Sequence, residues 1–430
     1  RSSGAETSGN GNVCSAWWKT LHMKGTTMSE HVILLNSGKT DAYCHLVKFV
    51  PEDRVDVITE RKYTPLYPHD ANLHYVHDIA DVTEVLDVAR KLDSSSPITA
   101  VVSPSERSLP VGGYLRSYFN LPGTGFDVAW GFSNKSVMKS RLRSAGIAVA
   151  RSLTISDIGR LVECGDDIGW PVVVKPVIGS GSMHTYTIGN REEALSFLGG
   201  PEAEWFRNNR YQIIVEEYVA MKGEYHCDAI IRNGRVVFSV LQRYFSPLLE
   251  CTGTWGGSIM VDTTDERCTA ISAIYPQVIK ALGLKDGVTH MEAFWAGSGF
   301  TVGEISCRPA GGGIPKSILL KYGVDIWDAF TAASLNREYD CEASESIPGI
   351  VANIDLPVQT GRLVDISTID ELSSVDGFIS ADLAPVGTCF SEPLNSSSAT
   401  GVVYVQLHHD TELAEVLRQL KRRYHAAYES

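Results

Sequence analysis

The segment at 289–313, THMEAFWAGSGFTVGEISCRPAGGG, contains two glutamates that a hairpin would bring together. Its turn residues, AGSG, predict two antiparallel strands. One continuous register then puts Glu292 opposite Glu304 and His290 opposite Ser306, with all four side chains on one face. Opposed side chains lie roughly 4.5–5.5 Å apart, so two carboxylates at such positions repel each other.

A cation between Glu292 and Glu304 would remove this repulsion, and the neighbouring residues suit one. Mg²⁺ prefers oxygen ligands and usually keeps waters and phosphate oxygens as well. The Ser306 hydroxyl is predicted on the same face, followed by Arg308, whose guanidinium can bind a phosphate or a carboxylate. The alternative is a solvated strand pair with mispaired charges. The apolar residues AFW and FTV on the other face favour a packed hairpin with a functional acidic face.

A glycine-rich loop follows an apolar strand in the segment VVVKPVIGSGS. The strand ends near Lys175, and the loop contains Ser180, Gly181 and Ser182. Glycines let backbone N–H groups approach phosphate oxygens closely, and the lysine adds a positive charge. The loop is neither a Walker A loop nor a dinucleotide-binding loop, because no helix begins directly after it. A plain Gly-Ser turn is the alternative.

The segment VEEYVAMKGEYHCD offers a third group of polar residues. The backbone between Glu217 and Val219 can read the edge of an adenine, and the carboxylate of Glu216 or Glu217 can accept a hydrogen bond from its amino group. Glu224 can bind both hydroxyls of a ribose. An acidic strand edge that faces water is the alternative, and this segment alone favours that alternative.

Strands and helices alternate in the part of the chain that precedes these motifs. Strands are predicted at 31–38, 55–60 and 98–106, with a helix at 82–92, which indicates a parallel α/β domain over 31–125. The rest of the chain mixes both types. Helices are predicted at 134–147, 191–198, 270–284 and 316–336, the last with a break at Gly323. Strands are predicted at 212–219 and 224–245 with an Asn-Gly turn at 233–234, followed by a β-rich region from about 345 that ends in a helix at 411–428.

Composition excludes several classes of protein. The net charge of −13 over 430 residues, with scattered Lys and Arg, argues against a nucleic-acid surface. No apolar run is long enough to suggest a membrane span. The nine cysteines are spread singly, which predicts reduced thiols in a cytoplasmic protein rather than a disulfide framework or a zinc site.

Four motifs occur in an order and spacing that resemble the ATP-grasp superfamily of carboxylate–amine ligases: NKSVMKSRL, VVVKPVIGSGS, VEEYV with GEY, and HMEAF with GEISCRPAGGG. This resemblance covers about 125–330. Three further segments are similar to the L-amino-acid (dipeptide) ligases within that superfamily: AVVSPSERSLPVGGYLRSYFNLPGTG, GVTHMEAF and KYGVDIWDAF.

The resemblance implies a fold, a division of the chain and a reaction. The fold is an α/β (α+β) ATP-grasp fold, with a flexible or foreign tail at 1–30, an N-terminal parallel α/β domain at 31–125, an ATP-binding lid subdomain at 126–220, and a catalytic and C-terminal lobe at 221–430. The reaction joins an amino-acid-like carboxylate to an amine through an acyl phosphate, with release of ADP and phosphate. The cofactors are ATP and Mg²⁺, with Mn²⁺ as a substitute, and dimers are common among similar proteins.

The resemblance also assigns roles to individual residues. The catalytic group is Arg308, Glu304 and Lys175; ATP is bound by Lys135, Lys175, Ser180, Gly181, Ser182, Glu216, Glu217, Val219 and Glu224; the metal is bound by Glu292, Glu304 and Ser306; the substrates are bound by Glu250, Arg308, Gly311 and Gly312. Ser306 stands where the family usually has asparagine, so the shorter hydroxyl reaches the ion through water, and the number of ions stays open. The run from Gly311 to Gly313 predicts room for an extended substrate.

Other readings of the same motifs remain. Within the ATP-grasp superfamily the acceptor could instead be a carrier-protein thiol, a peptide or an amino-sugar-like amine. A nucleotide-binding module without turnover is a different class, against which both lysines, both glutamates and Arg308 argue. A nicotinamide oxidoreductase is excluded, because LLNSGKT lacks the dinucleotide-binding glycine pattern.

Overall fold

The computed structural model describes most of the chain: residues 30–209, 211–250, 253–391, 394–396 and 398–429. The predicted tail at 1–30 therefore lies outside the described residues, apart from Glu30. The seven cysteines within them are all free thiols. No helix in this part of the chain is long and apolar enough to cross a membrane.

The N-terminal domain is a parallel α/β unit, as the alternating pattern predicts. Its elements are β1 (Val32–Leu35), α1 (Asp41–Leu46), β2 (Val55–Glu60), β3 (Asn72–Val76), α2 (Val82–Ser95), β4 (Ala100–Val102), α3 (Leu109–Tyr118) and α4 (Phe126–Gly131). The four strands pair in the order β3-β2-β1-β4, all parallel. Helix α2 begins after Asp81, whose carboxylate accepts from the N–H groups of Thr83 and Glu84.

A small antiparallel sheet with its own apolar core follows helix α5 (Lys135–Ser144). Its elements are β5 (Ser152–Ile155), α6 (Leu161–Ile168), β6 (Val172–Pro176), β7 (Tyr186–Ile188), α7 (Arg191–Leu198), α8 (Pro201–Asn208) and β8 (Ile213–Glu217). The strand order is β5-β8-β6-β7. The glycine-rich loop joins β6 to β7, so Lys175 lies near the end of a central strand, directly before that loop.

The largest sheet has eight strands and carries the predicted acidic hairpin. The elements of this lobe are β9 (Gly223–Arg232), β10 (Arg235–Tyr244), β11 (Gly256–Met260), α9 (Glu266–Leu282), β12 (Gly287–Trp295), β13 (Phe300–Ser306), α10 (Ile314–Tyr322), α11 (Ile326–Ser334), β14 (Ile350–Leu356), β15 (Gly361–Ile366), α12 (Ile369–Leu372), β16 (Phe378–Leu383), β17 (Cys389–Phe390), β18 (Gly401–Leu407), α13 (Leu413–Arg423) and β19 (Ala426–Glu429). The order is β13-β12-β9-β10-β11-β14-β18-β16, and β17-β15-β19 form a smaller sheet.

Two local predictions in this lobe have different outcomes. The Asn-Gly turn between β9 and β10 is confirmed, with positive φ angles of 51° at Asn233 and 71° at Gly234. The predicted helix at 411–428 is wrong at its end, since α13 stops at Arg423 and β19 follows. Pairing of β19 with the distant strand β15 supplies hydrogen bonds that outweigh the local helical pattern.

The face of the β12–β13 hairpin opposite the acidic residues is packed against other elements, as its apolar residues predict. Met291, Ala293, Val302 and Ile305 are almost fully buried in a core that also contains residues of α5 and α9. The acidic face of the hairpin is therefore held by a dry, close-packed face on the other side of the same two strands.

Shortening one of these side chains tests how much the core supports the hairpin. Ile305→Ala should lower the free energy of unfolding by about 2–5 kcal/mol, because Ile305 is fully buried and its loss leaves a cavity. Urea denaturation measures the change. The control is Leu195→Ala on α7, where the side chain is 57% exposed and the expected change is below about 0.5 kcal/mol. Equal effects of the two changes would contradict this account of the core.

Candidate active site

The β12–β13 hairpin brings the predicted carboxylates together. Glu292 pairs with Glu304, and His290 pairs with Ser306, as predicted. Ser306 is buried, and its Oγ has no hydrogen-bond partner among the residues that the structure describes. A buried hydroxyl without a partner is uncommon and points to a ligand from outside the chain.

The predicted register is wrong towards the turn. There Ala293 pairs with Val302, which leaves Gly303 without a partner on β12 and makes a β-bulge. The Nζ of Lys139, on α5, donates to the carbonyl oxygen of Gly303 at 2.9 Å. The bulge therefore contacts helix α5, which is distant in sequence. The sequence of the two strands alone does not predict that contact.

Three lysines surround the acidic residues of the cleft. The Nζ of Lys135 lies 3.1 Å from Oε1 of Glu304. Glu216 lies between the other two, with its Oε2 3.1 Å from Nζ of Lys175 and its Oε1 3.3 Å from Nζ of Lys139. Burial lowers the pKa of Lys175, but the nearby carboxylates, chiefly Glu216 and Glu304, together have the larger effect, so the pKa of Lys175 is raised.

Lys139 is a site residue that the sequence prediction missed. It lies four residues after Lys135 in α5, a spacing that puts both side chains on the same face of the helix. Burial lowers the pKa of Lys139, and Glu216 offsets only part of that effect. The helical spacing was the signal that could have identified this residue.

Glu224 lies in the same cleft, close to the acidic pair. Burial and the nearby charge of Glu292 raise the pKa of Glu224 to about 7. The backbone N–H of Leu248 donates to Oε2 of Glu224 at 2.9 Å. For Glu292 the cost of burial is outweighed by His290, which holds its pKa below the usual range. Of these two carboxyl groups, Glu224 therefore holds a proton to higher pH.

Three buried side chains on the neighbouring strands β9 and β12 form a hydrogen-bonded cluster next to the acidic pair. Asp228 accepts hydrogen bonds from Nδ1 of His226 at 2.7 Å and from Nδ1 of His290 at 2.9 Å. The Nε2 of His290 lies 3.6 Å from Oε1 of Glu292. Burial lowers the pKa of His290, but Asp228 and Glu292 together have the larger effect and raise the pKa of His290 to about 9. His290 thus presents a cation to Glu292 and is held in place by Asp228.

Arg308 joins the large sheet to the N-terminal domain. Its Nε donates to Oε1 of Glu106 at 2.7 Å, its Nη2 also contacts that oxygen, and its Nη1 donates to the Pro309 carbonyl at 2.6 Å. Despite burial, Arg308 and Lys39 lower the pKa of Glu106 to about 2. Lys39 is partly buried, and desolvation together with the charge of Arg308 lowers its pKa to about 8.

A cavity of about 440 Å³ connects these groups to the glycine-rich loop and to strand β8. The predicted site residues that line it are Lys135, Lys175, Ser180, Gly181, Ser182, Glu216, Glu217, Val219, Glu224, Glu292, Glu304, Ser306 and Arg308. The carboxylate of Glu217 accepts from the backbone N–H of Arg151 at 2.9 Å and from its Nε at 2.6 Å. The structure therefore brings the three predicted motifs around one cleft.

Gly311 and Gly312 line a second, adjoining cavity of about 430 Å³. At Gly312 the nearest atom to an added Cβ would be Oδ1 of Asp355, at an ordinary contact distance of 3.9 Å, and the φ of +58° favours glycine. Gly313 also lines this cavity, and an added Cβ there would lie 2.6 Å from Cγ1 of Val402, so the packing of the chain requires glycine at this position. Room for an extended substrate beside this run stays a prediction. The side chain of Glu250, predicted to bind substrate, lies outside the described part of the chain.

Comparisons with known proteins agree with this architecture. Residues 168–316 match the family described as ATP-grasp domain. The L-arginine-specific L-amino acid ligase of Bacillus subtilis is 30% identical over 406 residues, which cover 92% of this chain and 97% of that protein. Dapdiamide A synthase of Enterobacter agglomerans is 22% identical over 367 residues, covering 81% and 83% of the two chains.

Solved structures share the fold along nearly the whole chain. An L-amino acid ligase from Bacillus licheniformis matches with a TM-score of 0.74 at 18% identity, covering 94% of this chain and all of its own. A carboxyaminoimidazole ribonucleotide synthase from Aspergillus clavatus, solved with ATP, matches with a TM-score of 0.68 at 14% identity, covering 92% and 99%. The chain belongs to the ATP-grasp L-amino acid ligases, which form amide bonds between amino acids with ATP and release ADP.

Proposed function

We propose that the first cavity binds the nucleotide and that the reaction takes place where it meets the second. The observation that carries this proposal is the opposed pair Glu292 and Glu304, flanked by lysines at the wall of a cavity of about 440 Å³. A carboxylate oxygen of one amino acid attacks the γ-phosphate of ATP and forms an acyl phosphate and ADP. The amine of a second amino acid attacks the acyl carbon, loses a proton and displaces inorganic phosphate.

The residues at the hairpin fit a Mg²⁺ ion. Glu292 and Glu304 offer carboxylate oxygens, and Ser306 adds a buried hydroxyl without a partner among the described residues. We assign these three residues to the metal, and Mn²⁺ suits the same oxygen ligands. A bound Mg²⁺ would neutralise part of the phosphate charge and orient the γ-phosphate.

We assign the phosphates to Lys135, Lys175 and the loop from Ser180 to Ser182. Lys135 already contacts this loop, because its Nζ donates to the Gly179 carbonyl at 2.8 Å. That contact supports a loop position over the phosphates, where backbone N–H groups can donate to them. The ion pairs of Glu216 with two lysines support a different role for its carboxylate, the orientation of those lysines.

We assign the adenine to the backbone at Glu217 and Val219, and the ribose to Glu224. The carboxylate of Glu217 is bound by Arg151, which supports recognition by the main chain instead. Val219 lines the cavity wall, and no hydrogen bond from its N–H to another described residue is found. Glu224, with a pKa of about 7, can accept a hydrogen bond or donate one to ribose hydroxyls.

We assign Arg308 to the oxyanion that forms when the amine attacks the acyl phosphate. Donors held in place before the reaction stabilise such charge most effectively, because they need no reorganisation. Glu106 and the Pro309 carbonyl hold the guanidinium in this position. The substrates are thus small molecules that carry a carboxylate and an amine. The free thiols of the described cysteines support the proposal of a cytoplasmic enzyme.

Removing one charge of the acidic pair tests the catalytic assignment. Glu304→Gln should lower kcat for ADP release at least about 100-fold. The variant loses the negative charge of a proposed metal ligand, and Lys135 loses its ion-pair partner. Coupled detection of ADP gives the rate, and circular dichroism checks the fold. Glu163→Gln, at the surface of α6, is the control and should stay within about 2-fold of the unchanged enzyme. Full turnover by a folded Glu304→Gln protein would refute the assignment.

The Ser306 assignment makes a separate prediction about Mg²⁺. Ser306→Ala should raise the Mg²⁺ concentration for half-maximal ADP release by about 10-fold, as is typical for groups around a metal. Free Mg²⁺ is varied at saturating ATP. Ser239→Ala, at an exposed position of β10, should leave the Mg²⁺ dependence unchanged. Identical Mg²⁺ curves for all three proteins would remove Ser306 from the metal site.

The raised pKa of Glu224 predicts how stability depends on pH. Folding raises the pKa of this carboxyl from 4.5 to about 7, so the folded state binds an extra proton between these values. The free energy of unfolding therefore falls as the pH rises through this window. Glu224→Gln should remove that loss and be more stable than the unchanged protein by about 1–3 kcal/mol at pH 8, with no gain near pH 4. Urea denaturation at several pH values measures this, and parallel pH profiles would contradict it.

A further inference from the structure

The second cavity continues from the reacting groups into the C-terminal lobe. It shares Glu106, Glu292 and Arg308 with the nucleotide cleft, so its near end lies at the proposed reaction centre. Its wall also includes Gly312 and Asp355, which the nucleotide cleft does not contain. The volume of about 430 Å³ is enough for amino-acid side chains.

Asp355 is an ionisable group that lines this cavity. It lies on β14, between Gly256 of β11 and Val402 of β18. Its Oδ1 is shielded from water and has no hydrogen-bond partner among the described residues. Burial alone raises the pKa of Asp355 to about 6, without a contribution from any cation. A structural carboxylic acid inside a protein would normally find a hydrogen-bond partner, so this group is available to a ligand.

The cations that line the same cavity are engaged elsewhere, His290 among them through Asp228. Arg308 donates to Glu106, and Arg107 donates to Glu60. Lys39 is influenced by Arg308 and Glu106, at the end of the cavity next to the reaction centre. None of these residues compensates the charge of Asp355.

The main chain next to Asp355 carries no side chain at Gly312. Gly312 has φ = +58°, and a Cβ at this position would lie 3.9 Å from Oδ1 of Asp355. This is an ordinary contact distance, so the bare main chain of Gly312 lies beside the carboxylate at the wall of the same cavity. A planar guanidinium or an ammonium group fits such a position and forms charge-assisted hydrogen bonds with a carboxylate.

We propose that Asp355 binds the positively charged side chain of one of the two amino-acid substrates, which makes the enzyme selective for a basic amino acid. This inference rests on the proposed function, since it assumes that both substrates react beside Arg308. Their α-amines lie within a few bonds of the reacting carbonyl, next to Arg308 and Glu292. A long side chain that runs along the second cavity extends from there towards Asp355, which lines this cavity but not the nucleotide cleft.

Neutral isosteres give a direct test in the unchanged enzyme. Arginine is compared with citrulline, and lysine with norleucine, each paired with alanine, ATP and Mg²⁺. We expect kcat/KM for ADP release to be at least about 30-fold higher for the charged member of each pair, since a neutral group leaves a buried carboxylate unpaired. Mass spectrometry of the dipeptide shows whether the basic residue is N-terminal or C-terminal, and either position supports the proposal.

A substitution at Asp355 connects this selectivity to the residue. Asp355→Asn should bring the charged and neutral members of each pair to within about 3-fold of each other, mainly by weakening the use of arginine and lysine. Asp365→Asn, which removes an exposed carboxylate of β15, is the matched control and should keep the original preference. A thermal shift caused by arginine with the unchanged protein, and lost in Asp355→Asn, gives a readout that is independent of turnover.

The possible failures are distinguishable. ADP release from neutral pairs with equal use of arginine and citrulline would overturn this inference and leave the proposed function intact. Retention of the preference in a folded Asp355→Asn variant would also overturn it. Absence of ADP release with every pair would refute the proposed function, and this inference with it.

Discussion

Repulsion between Glu292 and Glu304 is the constraint on which the active-site cleft depends. Strand pairing fixes the two carboxylates opposite each other, so their charges must be offset by groups from elsewhere. Lys135 contributes from the first turn of α5, Lys175 from strand β6, and His290 from β12 itself. Because these cations belong to different elements, the acidic pair holds helix α5, the small sheet and the large sheet around one cavity.

The sequence predicted the cleft well where the relevant patterns are local. The alternation along the two strands placed Glu292 opposite Glu304, although the register next to the turn AGSG differs by one residue from the predicted one and the bulge at Gly303 restores it. The bulge at Gly303 was not predictable in the same way. Its carbonyl is bound by Lys139, whose position depends on the packing of α5 against the sheet.

The residues that were missed differ in how much signal they carried. Asp228 follows Glu224 and His226 at two-residue spacing in strand β9, so it could have been placed on the same face from the sequence. Glu106 is different, since it lies 202 residues before its partner Arg308. No local pattern connects them, and only the packing of the N-terminal domain against the large sheet brings them into contact.

Carboxylates that form ion pairs within the chain and carboxylates without a cationic partner have different roles in this cleft. Glu106 and Glu216 have cationic partners within the chain, so their carboxylates position Arg308 and the lysines whatever substrate is bound. Asp355 has no such partner among the residues that the structure describes, so the cost of burying it lowers the stability of the free enzyme until a ligand supplies a cation. A substrate with a neutral side chain of the same shape does not remove this cost of burying the Asp355 charge. Discrimination then comes mainly from a penalty on the wrong substrate, which lets one carboxylate decide substrate choice without a change in the catalytic residues.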